Sequence, residues 1–239
     1  MSSDSMTLNP AGNNDLSANS ETAPKPKILV LISGSGSNLQ AIIDGVKNQQ
    51  IDANICAVIS NRPDVKGLQR ATDVGIEAIT LDHTEFSSRE LFDAEMIRLI
   101  DNQQPDLIVL AGFMRILTPE FTRRYEGRML NIHPSLLPNY RGLRTHLRAI
   151  QAGDTEHGVT IHFVTEELDG GPLVIQAIVA IEADDNPISL AERVQAQEHI
   201  IYPLAVKWFV EGRLTYNNGQ AEMDGQPLPM TGCQLDSRV

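Results

Sequence analysis

From residue 27 onward, short runs of apolar, often β-branched residues alternate with segments whose apolar positions recur every three or four residues. The runs at 27–33, 54–60, 78–81, 106–111, 129–133, 160–164 and 173–181 predict strands. Several are apolar throughout, as strands covered on both faces are. Leu39, Ile42, Ile43 and Val46 form a helical stripe behind Ser37-Asn38-Leu39-Gln40, a capping-box pattern. Phe92, Met96, Leu99 and Ile100 do the same behind Ser87-Ser88-Arg89-Glu90. A third pattern of this kind, Ser189 to Glu192, opens a long helix running to about Val210.

The resulting β-α-β-α-β-α-β order predicts an α/β fold. Its core is a mostly parallel, seven-stranded twisted sheet with helices on both faces and right-handed crossovers. Connections shorten after Asn131, so an antiparallel strand is expected near one edge. Residues 1–26, rich in Ser, Asn, Thr and Pro, read as a disordered extension. One folded domain is expected over 27–212. The remaining 213–239 form a tail, with a short hairpin around Asn217-Asn218-Gly219.

Composition narrows the partners. With 239 residues, 41% of them hydrophobic, the chain can bury a sizeable core. No run approaches the roughly 18 apolar residues of a membrane span, and no secretory pattern opens the chain. A net charge of −12 argues against a broad nucleic-acid surface, whose affinity rests on neutralising phosphates. It leaves room for a small anion in a local pocket. Cys56 and Cys233 match no disulfide or metal spacing, which suits a reducing cytoplasm.

Candidate chemistry gathers in a few segments. In Asn131-Ile132-His133-Pro134 the amide and imidazole stand two residues apart in a strand, hence on one face. Pro134 keeps His133 extended at the strand end. A lone histidine is usually a hydrogen-bonded core residue, but Asn131 and the prolines favour a site. Asp169, in Asp169-Gly170-Gly171-Pro172, either supplies a carboxylate or simply organises its turn. Amide, imidazole and carboxylate together can stabilise an oxyanion and move a proton, with no serine or cysteine nucleophile in sight.

Ser33-Gly34-Ser35-Gly36-Ser37-Asn38 joins the first strand to the first helix. It is either a phosphate loop on helix N-terminal amides or a compact turn. It matches neither a Walker loop nor Gly-x-Gly-x-x-Gly. Phe113, Met114, Ile116 and Leu117, with Arg115 among them, either wall a pocket for a flat ring or belong to the core. A metal site from His133, His162 and Asp169 lacks recognised spacing, so no metal is expected. His146, His157 and His199 read as surface or structural residues.

Five segments carry a resemblance. They are Ile32 through Ile42, Leu110 through Leu117, Asn131 through Pro138, His162 through Pro172, and Val194-Gln195-Ala196-Gln197-Glu198-His199. In them the chain resembles the folate-dependent formyltransferase family, specifically its branch that formylates glycinamide ribonucleotide in purine synthesis. The resemblance implies a Rossmann-like formyltransferase fold over 27–212. It implies transfer of a formyl group from 10-formyltetrahydrofolate to the amine of that ribonucleotide. Asn131, His133 and Asp169 would be catalytic, with Asp169 favouring the charged imidazole. Gly36, Ser37, Asn38 and Glu198 would bind the ribonucleotide. Arg89, Met114, Arg115, Ile116, Leu117, Asn131, Glu166, Glu167 and Leu168 would contact the folate.

The implied protein is a cytoplasmic monomer or homodimer with small-molecule substrates, no metal, no nucleic acid and no membrane. Asn139, Arg141 and Arg144 depart from the pattern, where Lys, Pro and His are more usual. Two alternatives share the fold. A formyltetrahydrofolate hydrolase would use the same trio with water as acceptor, and is expected to carry an N-terminal ligand-sensing domain. A catalytically silent folate- or nucleotide-binding protein would not need the trio intact. A methionyl-tRNA formyltransferase is expected to be longer and less acidic.

Overall fold

The computed structural model describes residues 24–238, so the expected disordered extension falls outside the described residues up to position 23. The last residues of that stretch already touch the sheet. The Pro26 carbonyl accepts from Asn54 N–H at 2.8 Å, and Lys25 pairs with Asp52 at 2.7 Å.

Strands β1 (Lys27–Ile32), β2 (Asn54–Ser60), β3 (Glu77–Thr80), β4 (Leu107–Leu110), β5 (Met129–His133), β6 (Glu156–Phe163) and β7 (Leu173–Ala180) form on the seven apolar runs. Helices α1 (Ser37–Lys47), α2 (Lys66–Thr72), α3 (Arg89–Gln103) and α4 (Pro119–Arg124) connect the first five. Helix α5 (Thr145–Ala152) precedes β6, and α6 (Pro187–Val210) follows β7. β6 starts four residues before its apolar run, because Glu156, His157 and Gly158 interrupt the pattern yet continue the ladder opposite β7.

Among the described residues the main sheet has eight strands, one more than expected, in the order β11-β7-β6-β5-β4-β1-β2-β3. β6 pairs antiparallel with β5 and β7, while the other pairings in this sheet are parallel. The unforeseen strand is β11 (Cys233–Asp236), a polar edge strand with no apolar run to announce it. Gly232 lets it approach: a Cβ there would stand 2.6 Å from the Val174 carbonyl oxygen. Ahead of it, β8 (Leu214–Asn217), β9 (Gln220–Met223) and β10 (Gln226–Pro227) make a small antiparallel sheet. Asn218 and Gly219, at φ 48° and 80°, form the tight turn between β8 and β9.

Alternation along β1 divides the core. Ile28, Val30 and Ile32 face a layer completed by α1, α2 and α6, whereas Leu29 and Leu31 face Phe92, Met96, Ile100 and Phe121 of α3 and α4. Three helix starts differ from the predicted caps. Gly36, at φ 68°, precedes α1, which frees the Ser37 and Asn38 side chains. Ser88, not Ser87, caps α3 by accepting from Leu91 N–H. Asn186 caps α6, with Ser189 completing its box as third residue.

The parallel strands β1, β4 and β5 end on one edge, where α1 leaves one side and the 112–118 segment the other. In doubly wound sheets this crevice is where ligands bind.

Candidate active site

The antiparallel register of β5 and β6 places His162 directly across from Asn131. Side chains of a directly paired position share a face, so Asn131, His133 and His162 project together. The 165–172 loop returns Asp169 to this cluster in the left-handed conformation, φ 48°. Its Oδ2 stands 3.4 Å from His133 Nδ1 and accepts from Gly142 N–H at 2.9 Å. Its Oδ1 lies 3.9 Å from His162 Nε2. His133 and Asp169 are both nearly buried, at 8% and 9% side-chain exposure, which strengthens their interaction by keeping water away.

His133 Nε2 lies 3.0 Å from the Tyr140 carbonyl. Each ring nitrogen therefore has an oxygen nearby, the Asp169 carboxylate at Nδ1 and a backbone carbonyl at Nε2. Tyr140 is itself held, its hydroxyl donating to Asp154 at 2.5 Å and its ring covered by the Arg148 guanidinium at 5.2 Å. Under the 134–140 loop, Thr160 donates to the Ser135 carbonyl at 2.6 Å and accepts from Leu137 N–H at 3.1 Å.

Where α1 meets α6, Asn38 donates to Glu198 at 2.7 Å, and Gln195 donates to the Ser37 hydroxyl at 3.3 Å. Burial pushes the Glu198 carboxyl up, against the Asn38 amide that favours its charge. Asn38 Oδ1 is buried with no partner among the described residues. Gly36 is required by both its positive φ and space, since a Cβ would meet Gly67 Cα at 2.7 Å. Arg70, unremarked in the sequence, braces this loop through the Ser35 carbonyl at 2.8 Å.

The 112–118 segment is pinned at both ends. Met114 N–H donates to Ser33 at 2.8 Å, and Thr118 N–H to the buried Asp93 at 2.6 Å. Phe113 and Leu117 turn into the core, while Met114 and Ile116 are 59% and 57% exposed. The core and pocket readings thus divide along one segment. Leu168, on the Asp169 loop, is 50% exposed as well. Both segments thus leave large apolar side chains in water. Arg115 lies over the Phe92 ring at 4.8 Å, and both Arg89 and Arg115 act on the Asp93 carboxylate.

Glu166 pairs with Arg123 at 2.6 Å and Glu167 pairs with Arg141, so both carboxylates tie their loop to neighbouring elements. Of the three unusual positions, Arg141 makes that tie and Asn139 lends its carbonyl to Ser135. Arg144, at φ 57°, precedes α5. The structure thus joins Asn131, His133 and Asp169, and separately joins Asn38 with Glu198. His162 was weighed only as a metal ligand beside His133 and Asp169, and the Tyr140 carbonyl and the Gly142 amide were not read as site groups. The last two are backbone contacts with no sequence signal, and His162 needs the strand register to be recognised.

His157 and His146 form a second pair, Nε2 to Nδ1 at 3.1 Å. Burial pushes His157 down to about 4 and lowers His146 too. A base whose folded value lies below its unfolded value, about 6.5, contributes stability above that value and loses it as pH falls towards 4. Melting temperature is therefore expected to drop between pH 7 and 4.5, and His157→Gln to flatten the drop. An equally steep profile in that variant would assign the acid sensitivity to other groups.

The model of the formyl transferase family matches residues 26–206. The chain is 54% identical to the phosphoribosylglycinamide formyltransferase of Escherichia coli over 209 residues, covering 87% of this chain and 99% of that one. It is 50% identical to the Haemophilus influenzae protein of the same name, over 86% of this chain and 97% of the relative. The solved phosphoribosylglycinamide formyltransferase of Coxiella burnetii superposes with a TM-score of 0.84 at 52% identity, covering 88% and 99% of the two chains. With this likeness running through the strands and loops that build the site, the chain belongs to the formyl transferase family.

Proposed function

We propose that the chain transfers the formyl group of 10-formyltetrahydrofolate to the primary amine of N1-(5-phospho-D-ribosyl)glycinamide, a step of purine synthesis, with residues 27–212 as the catalytic domain. The observation that carries this reading is the convergence of Asn131, His133 and Asp169 between a nucleotide-type loop and an exposed apolar wall. The amine supplies the nucleophile, so none is needed from the protein. The net charge of −12 favours small-molecule partners over nucleic acid, and the unpaired cysteines suit the cytoplasm. The chain acts as a monomer or homodimer.

In this mechanism the amine nitrogen attacks the formyl carbon and the carbonyl oxygen gains charge. Asn131 donates an N–H to that oxygen. His133, charged and backed by Asp169, donates from Nε2 once substrate displaces the Tyr140 carbonyl. The carbon–N10 bond then breaks, and the proton lost by the attacking amine passes through His133 or water to N10. The products are the N-formyl ribonucleotide and tetrahydrofolate. Met114, Ile116 and Leu168 would cover the folate ring. Gly36, Ser37, Asn38 and Glu198 would hold the ribonucleotide, and Arg89 and Arg115 the folate's carboxylate end.

The test is an absorbance assay with 10-formyl-5,8-dideazafolate, with and without the ribonucleotide. Deformylated folate is expected only with the amine present. Release without it would make the protein a hydrolase, and no release from folded protein would make it a binding protein. Asn131→Ala is expected to lower kcat by roughly 100- to 1,000-fold, the scale for one oxyanion donor. A kcat within a few-fold of the parent would remove Asn131 from that role.

A further inference from the structure

We propose that His162 is a positioning residue for the formyl-transfer step, held as the neutral Nδ1–H tautomer so that Nε2 sets the roll of the Asn131 carboxamide. The inference rests on the proposed role of Asn131 as oxyanion donor.

His162 Nδ1 lies 2.8 Å from the carbonyl of Phe163, an acceptor that can only receive a hydrogen bond. Nδ1 must therefore carry the proton. In a neutral ring Nε2 then presents a lone pair, and Asn131 Nδ2 stands 3.0 Å from it. A lone pair pairs only with the amide's NH2 end, so Oδ1 of Asn131 is turned away. One N–H of Asn131 is used on His162, and the other remains for a substrate oxygen. Without His162, no other side-chain hydrogen bond among the described residues distinguishes the two ends of the Asn131 amide.

The same geometry explains why this histidine must stay uncharged. A proton on Nε2 would face the Asn131 NH2 group donor to donor. It would also turn the ring towards Asp169 Oδ1, 3.9 Å away, which competes with His133 for that carboxylate. The charged and titratable groups around the ring are Asp169 of the loop, His133 of β5 and Arg141. Burial lowers the His162 pKa, which outweighs the attraction of Asp169. Two histidines on one sheet face, both near one aspartate, thus have different partners. His133 has oxygen acceptors at both nitrogens, whereas His162 has one acceptor and one donor.

The experiment combines tautomer detection with a double-mutant cycle. In 15N-histidine-labelled full chain at pH 7, the imidazole signal lost in His162→Gln is expected to show the neutral Nδ1–H tautomer. An Nε2–H tautomer or a charged ring would overturn the proposal. In kinetics, His162→Phe is expected to lower kcat roughly 10- to 100-fold, with KM for both substrates changed by less than about three-fold. In an Asn131→Ala background it should cost almost nothing more, because the group it orients is gone. Equal losses in both backgrounds would show a merely structural role. His162→Gln, whose carboxamide offers Asn131 an acceptor, should recover part of the rate. It replaces His162→Phe in the cycle if that variant does not fold. Absence of formyl transfer by the wild-type protein would sink the functional reading, while the tautomer spectrum would still decide this assignment.

Discussion

Asp169→Asn is expected to lower kcat by roughly 100- to 10,000-fold, the range for disabling an acid–base pair, while leaving the fold intact. The substitution changes charge with almost no change of shape. A carbonyl oxygen in place of Oδ2 can still accept from Gly142 N–H, the contact that closes the loop at 2.9 Å. That leaves an NH2 group in place of Oδ1, on the side of His162 Nε2, now 3.9 Å away. Two consequences follow. His133 loses the negative charge that balances a protonated ring in a nearly buried site. The new amide donor also competes with Asn131 for the single lone pair of His162. Both effects fall on the developing oxyanion, so kcat should drop far more than either KM changes. Circular dichroism and thermal melting establish that the variant is folded, and steady-state kinetics supply the rest. A folded variant retaining more than about a tenth of the parent's kcat would exclude Asp169 from the reaction.

Gly171→Ala is expected to cost about 3 kcal/mol of stability, the upper range for overpacking, and roughly 100-fold in kcat. An alanine Cβ at this position would lie 1.9 Å from the Phe163 carbonyl oxygen and 3.0 Å from its carbon. Both obstacles are backbone, so no side chain can swing aside. Phe163 N–H donates to the Pro172 carbonyl at 2.9 Å, and the register between β6 and β7 shifts just beyond, at His162. Relieving the clash must move either the end of β6, which carries His162, or the loop that carries Asp169. Displacing a reacting group by about 1 Å can cost about two orders of magnitude in rate. Denaturant unfolding and kcat check the two parts separately. A variant within about 0.5 kcal/mol of the parent and equally active would show that the loop yields without disturbing the site.

Glycine at 171 illustrates a wider distinction. The Asp-Gly-Gly-Pro run is legible as a turn, but nothing local says that its third residue abuts a carbonyl of another strand. The helical stripes and apolar runs were legible because burial of one or both faces imposes period 3.6 or 2 wherever the element sits. The seven principal strands, the three long helices and the Asn218-Gly219 turn follow from that local constraint. β11 escaped it, because an edge strand is stabilised by the backbone ladder it joins and needs no apolar pattern. The α1 cap escaped too, since Ser37 fits a cap by type while the left-handed Gly36 takes the position.

The pairing of Asn131 with His133 was available from the sequence alone, because i and i+2 in a strand share a face whatever else the chain does. The resemblance identified Asp169 as their partner, but its approach depends on a loop bracketed by Gly142 N–H and two glycines. Asn38 and Glu198 are 160 residues apart and meet only because α1 and α6 pack side by side. His162 is the sharpest case. As a sequence position it is one histidine among six, with no spacing to mark it. Antiparallel pairing of β5 with β6 places it opposite Asn131, and a backbone carbonyl then fixes which nitrogen bears the proton. Local pattern thus determined the elements, the sheet class and the residue types able to stabilise an oxyanion. Only the tertiary structure decided register, tautomer and which carboxylate serves which ring, because those depend on contacts between segments far apart in the chain.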